Sequence, residues 1–284
     1  MGGGERQVLL ASGVVSFPAG MNPELSRGRK IRWPRRVSTL AEARRYIDAA
    51  GFCMLFPVTS VPLPSLYCAV TRRQPSAGIV FDKHFEMLWR WKDELPRRRR
   101  AFYAKYFRAR GTLISLKQLP YFLAMRDTAV APGDHARLYA DGRIRDDARV
   151  IWEALERHGP LATLELRHLC RMETKAGNIR FKRSMLDLQC LLVVVHFGSE
   201  QETGAWASGR FELTCRAFPD QTAAARTIAV NVARARLAAK YLESYSAAPP
   251  VQLARLFGWT RQDALTAVSS AQLETQDAKR ERHR

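Results

Sequence analysis

Residues 193–214, VVVHFGSEQETGAWASGRFELT, decide the fold. They open with a β-branched run, Val193–Phe197, and close with Arg210–Thr214, where apolar and polar residues alternate with the period of a strand. Between these runs lies a polar loop bounded by Gly198 and Gly204. The stretch therefore predicts two strands joined as a ribbon.

Helical patterns precede this ribbon. Apolar residues recur at helical spacing from Asp146 to His158, and Gly159 and Pro160 close that helix. A short second helix, capped by Thr163, and a third from Asn178 to about Leu191 follow. Three helices and then a two-stranded ribbon is the order of a winged helix, whose third helix enters the major groove of DNA.

The N-terminal side begins with a basic arm and then becomes periodic. Thr39 and Glu42 form a capping box for a first helix that ends at Gly51. Farther on, Asp82 caps a helix that runs through Leu95. The next stretch, RRRRAFYAKYFRAR at residues 97–110, has seven basic residues and no acid, which predicts an amphipathic helix with a wholly positive polar face.

The C-terminal side repeats the helical part of the pattern without strands. Residues 231–246, 250–257 and 260–273 predict three helices, the last capped by Thr260. The predicted fold class is mainly α with small β-ribbons (α+β), built of tandem winged-helix or helix-turn-helix units. The expected domains are a flexible basic arm (1–36), a first winged-helix-like unit (37–131), a second winged-helix unit (132–220) and a third helix-turn-helix unit (221–284).

Charge indicates the class of partner. The 284 residues include 46 Lys and Arg against 27 Asp and Glu, a formal net charge of +19. This excess favours a polyanion, and we expect double-stranded DNA. No apolar run approaches the ~20 residues that span a bilayer, so the sequence predicts no membrane association.

The five cysteines, which are widely spaced, form no C-x-x-C pair, and the histidines lack metal-ligand spacing. We therefore expect no metal, no zinc-deaminase chemistry and no small-molecule cofactor. Isolated thiols suit a reducing compartment, so the expected location is the cytoplasm, in association with the nucleoid.

Two groups of basic and polar residues are the candidate DNA contacts. In the third helix of the second unit we expect Ile179 and Phe181 to anchor the turn while the polar residues point outward. Lys and Arg would neutralise phosphates, and Asn178 and Arg180 have the chemistry to read base edges. The candidates are Arg97, Arg98, Arg99, Arg100, Lys105, Arg108 and Arg110 in the first unit, and Lys175, Asn178, Arg180, Lys182 and Arg183 in the second.

Four stretches in order resemble the AlkZ-like (YcaQ-type) family of winged-helix DNA glycosylases, which act in interstrand-crosslink repair. They are GFCMLFPVTSVPLPSLYCAV (51–70), GTLISLKQLPYFLAM (111–125), HGPLATLELRHL (158–169) and YLESYSAAPPVQLARLFGW (241–259). The resemblance covers roughly residues 38–275. It implies a DNA-repair protein that binds DNA and removes damaged bases.

The catalytic motif that the resemblance implies is missing. The family uses a Q-x-Q or Q-x-D motif after the first helix to handle water, whereas this chain has Leu55–Val61, LFPVTSV, and no Gln or Asp between Phe52 and Gln74. We therefore expect a DNA-binding protein without glycosylase activity and no catalytic residue. Phe56 and Pro57 remain open as core residues or as a wedge between bases.

The first unit contains other carboxylates, and the sequence allows two alternative functions. Asp82 is interpreted as a helix cap, and Glu86, Asp93 and Glu94 as surface residues. The alternative function is a divergent glycosylase acting on alkylated or crosslinked bases, which would need a water-activating group. An RNA-binding or protein-binding module is a third interpretation, because winged helices serve both purposes.

Overall fold

The computed structural model of the chain describes residues 36–200 and 207–281, with side chains given as far as Leu273. The expected arm, apart from Arg36, and most of the loop between the two ribbon strands lie outside the described residues. The described part is mainly helical, with small antiparallel sheets. This confirms the predicted class, mainly α with small β-ribbons.

An N-terminal repeat of three helices and three strands builds the first sheet. The capping box of Thr39 and Glu42 is present, and Gly51 ends the first helix with a positive φ of 79°. The strands pair antiparallel in the order β1-β3-β2. The elements are α1 (Leu40–Ala50), β1 (Phe52–Met54), α2 (Leu66–Thr71), α3 (Lys83–Arg97), β2 (Phe102–Lys105) and β3 (Gly111–Ile114).

The helix predicted over residues 97–110 is wrong. Arg97 is the last residue of α3, and the chain then turns into β2 and a hairpin that leads to β3. Successive residues of β2 enter different cores, Phe102 on one face of the sheet and Tyr103 on the other. A strand that is buried on both faces lacks alternation of apolar and polar residues, so periodicity does not distinguish it from a helix.

A central repeat follows the same order. Its sheet is β4-β6-β5, which matches β1-β3-β2 of the N-terminal repeat. The two ribbon strands and three helices are found as predicted, with one additional short strand. The elements are α6 (Asp146–His158), β4 (Leu161–Ala162), α7 (Thr163–Leu169), α8 (Lys175–Cys190), β5 (Val194–Glu200) and β6 (Ser208–Leu213).

One local expectation in the central repeat is wrong. Thr163 is the first helical residue of α7 and does not cap it, because Ala162 occupies the N-cap position. The Thr163 hydroxyl instead donates a hydrogen bond of 2.8 Å to the Gly209 carbonyl. This bond joins α7 to β6.

The two repeats pack reciprocally. Helix α3 of the N-terminal repeat lies against β5, helix α8 of the central repeat lies against β2, and β2 and β5 contact each other. The amide of Lys105 in β2 donates to Gln189 Oε1 in α8 at 3.1 Å. The third helix of each repeat is therefore held by a strand of the other repeat.

The remaining helices are α4 (Leu119–Arg126), α5 (His135–Ala140), α9 (Thr214–Ala217), α10 (Pro219–Ala225), α11 (Val230–Ser244), α12 (Pro250–Phe257) and α13 (Arg261–Glu281). Most of them complete the N-terminal core, whereas Leu138 of α5 belongs to the core of the central repeat. Helix α11 packs on α4 and α13, and Phe257 of α12 lies 5.8 Å from Phe52 of β1, measured between ring centroids. Thr260 caps α13 as predicted, and no strand follows Leu213 in the described residues.

Candidate nucleic-acid interface

Helix α8 presents a basic face to solvent. Thr174 caps the helix by accepting a hydrogen bond from the Gly177 amide at 3.0 Å, so the helix starts at Lys175, three residues before the predicted start. Lys175, Lys182 and Arg183 are exposed on it. Because a helix turns by about 100° per residue, these three side chains share one side.

The expectation that Ile179 anchors the helix is wrong. Ile179 is 64% exposed, whereas Phe181 is 3% exposed. Residues two apart lie on opposite sides of a helix, so only one of the two can face the core. Ile179 therefore belongs to the exposed basic face, and Phe181 does the anchoring.

Asn178 and Arg180 lie beside this face and are already bonded. Asn178 Oδ1 accepts a hydrogen bond of 3.2 Å from Arg167 of α7. Arg180 Nη1 lies 3.3 Å from Asp147 Oδ1 of α6. The two candidate base readers thus hold α8 to its neighbours in this structure.

A second basic element adjoins the C-terminal end of α8. The hairpin between β2 and β3 carries exposed Lys105, Arg108 and Arg110. Arg108 and Ala109 both have positive φ, 51° and 57°, the conformation of a tight two-residue hairpin turn that normally selects Asn and Gly. Arg108 therefore occupies the tip at a cost in backbone strain.

The hairpin and α8 are in direct contact. The Cys190 thiol donates to the Lys105 carbonyl at 3.2 Å, and Cys190 lies two turns beyond Lys182 on the exposed side of α8. The two basic elements therefore form one continuous surface. We call it the α8–hairpin surface, and its residues are Lys105, Arg108, Arg110, Lys175, Lys182 and Arg183.

The four consecutive arginines of the first candidate group lie elsewhere. The side chain of Arg97 lies over Gly198 of β5, since a Cβ built on that glycine would come within 3.3 Å of Arg97 Cδ. Arg98 and Arg100 line an open groove with Arg44 of α1, and Arg99 is exposed in the turn between them. The structure thus divides the predicted group between three places.

A family model described as AlkZ related matches residues 37–258. This chain belongs to the AlkZ-related family. Membership indicates a DNA-glycosylase-like fold and an interaction with DNA. No curated protein and no solved structure was found to match. The described part of the AlkZ-related protein has no cluster of residues suited to a metal ion, and no helix in that part is long and apolar enough to cross a membrane.

In this AlkZ-related protein the segment expected to hold the catalytic motif is structural. Leu55 is buried, and its amide donates to the Gly111 carbonyl at 2.9 Å. Phe56 is half-buried and stacks on Phe85, with 5.1 Å between ring centroids. Neither side chain can polarise water.

Asp93 is not a surface residue, which corrects the expectation for it. Its Oδ1 lies 2.6 Å from Lys92 Nζ and 2.5 Å from His196 Nε2 of β5. Asp82 caps α3 as predicted, Glu86 is exposed and Glu94 half-buried. The sequence carries no signal for this Lys92–Asp93–His196 cluster, because the histidine is 103 residues away from the carboxylate.

Burial and pairing set the protonation of the cluster. Burial raises the pKa of Asp93, but the hydrogen bond from His196 and the charge of Lys92 outweigh it, and the net pKa is lowered. Burial lowers the pKa of His196 and of Lys92. At neutral pH we therefore expect an ionised Asp93 that accepts hydrogen bonds from a neutral His196 and from Lys92.

Proposed function

We propose that this AlkZ-related protein binds double-stranded DNA through the α8–hairpin surface and lacks glycosylase activity comparable with that of relatives that keep the glutamine motif. Helix α8 stands third in the helix and strand order of a winged helix, at the position that enters the major groove. The same order in the N-terminal repeat supports tandem winged-helix units at 37–131 and 132–220. Residues 221–284 would form a helix-turn-helix unit without a wing.

The proposal that this surface binds DNA rests mainly on its unpaired positive charge. The six cations of the α8–hairpin surface form no ion pair with any acid in the described part of the chain. Like charges that share one surface without acidic partners repel each other, and an anion bound there relieves the repulsion. A DNA backbone supplies such anions at regular intervals, and its counterions are released on binding.

The surface favours phosphate contacts over base readout. Lys175, Lys182 and Arg183 project freely, whereas Asn178 and Arg180 would have to leave Arg167 and Asp147 to reach a base edge. Binding dominated by phosphates depends weakly on sequence and strongly on salt. We therefore expect affinity to fall on the order of a thousandfold between 50 and 200 mM salt, for six or more contacts.

The test compares two double variants of equal charge. Lys182→Ala/Arg183→Ala removes two cations from the surface, and Arg45→Ala/Lys117→Ala removes two exposed cations of the N-terminal half. Fluorescence anisotropy with a labelled duplex should show weaker binding of all sequences for the first variant only. Its salt slope should fall by about one for each phosphate that the variant no longer neutralises.

The outcomes separate the possibilities. Full binding by Lys182→Ala/Arg183→Ala would move the interface away from α8. A wild-type protein that fails to bind duplex at low salt, or whose binding is insensitive to salt, would refute DNA binding by phosphate contacts.

A further inference from the structure

Four aromatic rings form a ladder along the start of α3. Phe85 lies between Phe56 and Trp89, with centroids 5.1 Å and 5.6 Å away and ring planes within 19° and 14° of parallel. Phe81 adds a fourth ring, 4.6 Å from Phe85. We call Phe56, Phe81, Phe85 and Trp89 the aromatic ladder. Phe85 and Trp89 are four residues apart in α3, so they lie on one side of the helix, and Phe81 directly precedes the helix cap Asp82.

Part of the ladder is open to solvent. Phe81 is 71% exposed and Trp89 43% exposed, and the neighbouring Ile79 and Val80 are each 39% exposed. Several large apolar side chains exposed side by side mark a contact surface. In contrast, Trp91, Tyr103 and Tyr106 of the same repeat are buried in the core.

The position of the aromatic ladder in the N-terminal repeat corresponds to that of the basic face of α8 in the central repeat. Helices α3 and α8 hold equivalent places in the two repeats, and Trp89 and Lys182 both lie eight residues before the last residue of their helices. The N-terminal repeat thus presents an indole where the central repeat presents a phosphate-binding cation.

The charges around the ladder favour an anionic partner. Lys83 and Arg90 are exposed on α3 and supply the positive charge beside the rings. Lys92, whose Nζ lies 4.4 Å from the centroid of the Trp89 ring, is buried and paired with Asp93, so it does not contribute to that exposed charge. Asp82 is engaged as the helix cap, and Asp93 is engaged with Lys92 and His196. Glu86 is the exposed acid on this part of α3. Flat rings with a cationic border are the features that bind the bases and phosphates of a single strand.

We propose that the aromatic ladder stacks on unpaired bases of a DNA strand. The proposal deepens the proposed function and rests on it. In a duplex the faces of each base are covered by the neighbouring base pairs, and proteins read the edges in the grooves. A protein ring stacks on a base only where the base is unstacked, so the ladder selects DNA with single-stranded or disrupted positions.

The experiment separates stacking from phosphate binding. A fluorescein-labelled dT 12-mer is compared with a 12-mer of abasic residues, which has the same phosphates but no bases. The protein should bind the dT strand about tenfold more tightly than the abasic strand or better. Equal binding of the two strands would overturn the proposal.

Two variants assign the effect to the rings. Phe81→Ala/Trp89→Ala should bind both strands as the wild type binds the abasic strand, with an unchanged far-UV circular dichroism spectrum because both side chains are at the surface. Phe81→Leu/Trp89→Leu keeps apolar side chains but no rings and should also lose the preference. If the leucine variant retains it, the patch is a general apolar surface, such as a protein-docking site, and the proposal is wrong.

Failure of this proposal is distinct from failure of the proposed function. In Lys182→Ala/Arg183→Ala, duplex binding should fall while the ratio of dT to abasic binding stays at the wild-type value. If Phe81→Ala/Trp89→Ala weakens binding to the dT and abasic strands equally, Phe81 and Trp89 have a structural role. That result would refute the proposal that they stack on bases.

Discussion

Asp93 Oδ1 lies 2.5 Å from His196 Nε2 and thereby joins α3 of one repeat to β5 of the other. The carboxylate and imidazole are 15% and 10% exposed, so water screens the contact weakly. An ionised carboxylate only accepts hydrogen bonds, so His196 donates through Nε2–H. The edge of the ring meets Tyr103 of β2, with centroids 5.5 Å apart. Reciprocal packing of the repeats is thus fixed at its centre by a charged hydrogen bond.

Removing this carboxylate should destabilise the protein. Asp93→Ala leaves Lys92 and His196 buried without their acceptor and should lower the free energy of unfolding by about 3 kcal/mol. The adjacent Glu94→Ala removes a carboxylate whose pair with Arg98 is largely exposed and should cost at most about 1 kcal/mol. Urea denaturation measures both variants. Equal losses of stability would mean that the Asp93 pairing is no more important than a surface pair.

The cluster should also make stability depend on pH. Burial holds the pKa of His196 below its ordinary 6.5 in the folded protein. The folded state therefore resists protonation that the unfolded state accepts, so stability is greatest above pH 6.5 and declines as the pH falls below it. Asp93, whose pKa is also lowered, acts in the same direction at lower pH. Unfolding free energies measured from pH 8 to 5 should show this decline.

A histidine variant identifies the source of the decline. His196→Gln cannot titrate and should give a flatter profile between pH 7 and 5, whereas His158→Gln, at an exposed position, should keep the wild-type slope. An unchanged slope in His196→Gln would assign the pH dependence to other groups.

The His196 ring leaves no room for a side chain at position 209, so this residue is glycine. A Cβ at this residue would lie 2.7 Å from His196 Cε1, and Asp93 prevents the ring from moving away. Gly209→Ala should therefore cost about 1–3 kcal/mol through overpacking. In a His196→Ala background the same substitution should cost little, because the obstructing ring is gone. Additive costs in the double variant would refute this account.

Helix caps and strands whose signal lies within a few neighbouring residues could be predicted from the sequence. The capping box at Thr39, the cap at Asp82, and the ribbon of β5 and β6 follow from side-chain chemistry within a few residues. Residues 97–110 could not be predicted in this way. Strand β2 is covered on both faces, in part by α8, which is distant in sequence, and its pairing with β3 replaces the helix that its composition favours.

The candidate site was predictable in composition but not in arrangement. The charge of Lys182, Arg183 and Arg108 is visible in the sequence, yet their joining into one surface depends on the packing of α8 against β2. Likewise Asp93 and His196 meet only because α3 packs on β5. Contacts between repeats carry no local signal, so they appear only when the chain is folded.

The lack of a water-activating group should be visible in a glycosylase assay. Leu55 and Phe56 occupy the expected motif positions, and an apolar side chain cannot orient water towards an anomeric carbon. Purified protein incubated with alkylated or crosslinked duplex should therefore yield no abasic sites above the uncatalysed background. Release of a modified base that increases with time, and that disappears in a carboxylate variant such as Asp93→Asn, would show instead a divergent glycosylase.

Substitution of Arg180 distinguishes base readout from phosphate binding. Its guanidinium lies 3.3 Å from Asp147 of α6. If Arg180 leaves Asp147 to pair with a guanine, Arg180→Ala should cost about 1–3 kcal/mol, and on the preferred site alone. On duplexes of unrelated sequence the variant should bind within about twofold of the wild type, since all the phosphate-binding cations remain in place. Asp147→Ala, which frees the guanidinium, should then strengthen binding to the preferred site. A uniform decrease in affinity over all sequences in Arg180→Ala would instead place Arg180 among the phosphate-binding residues.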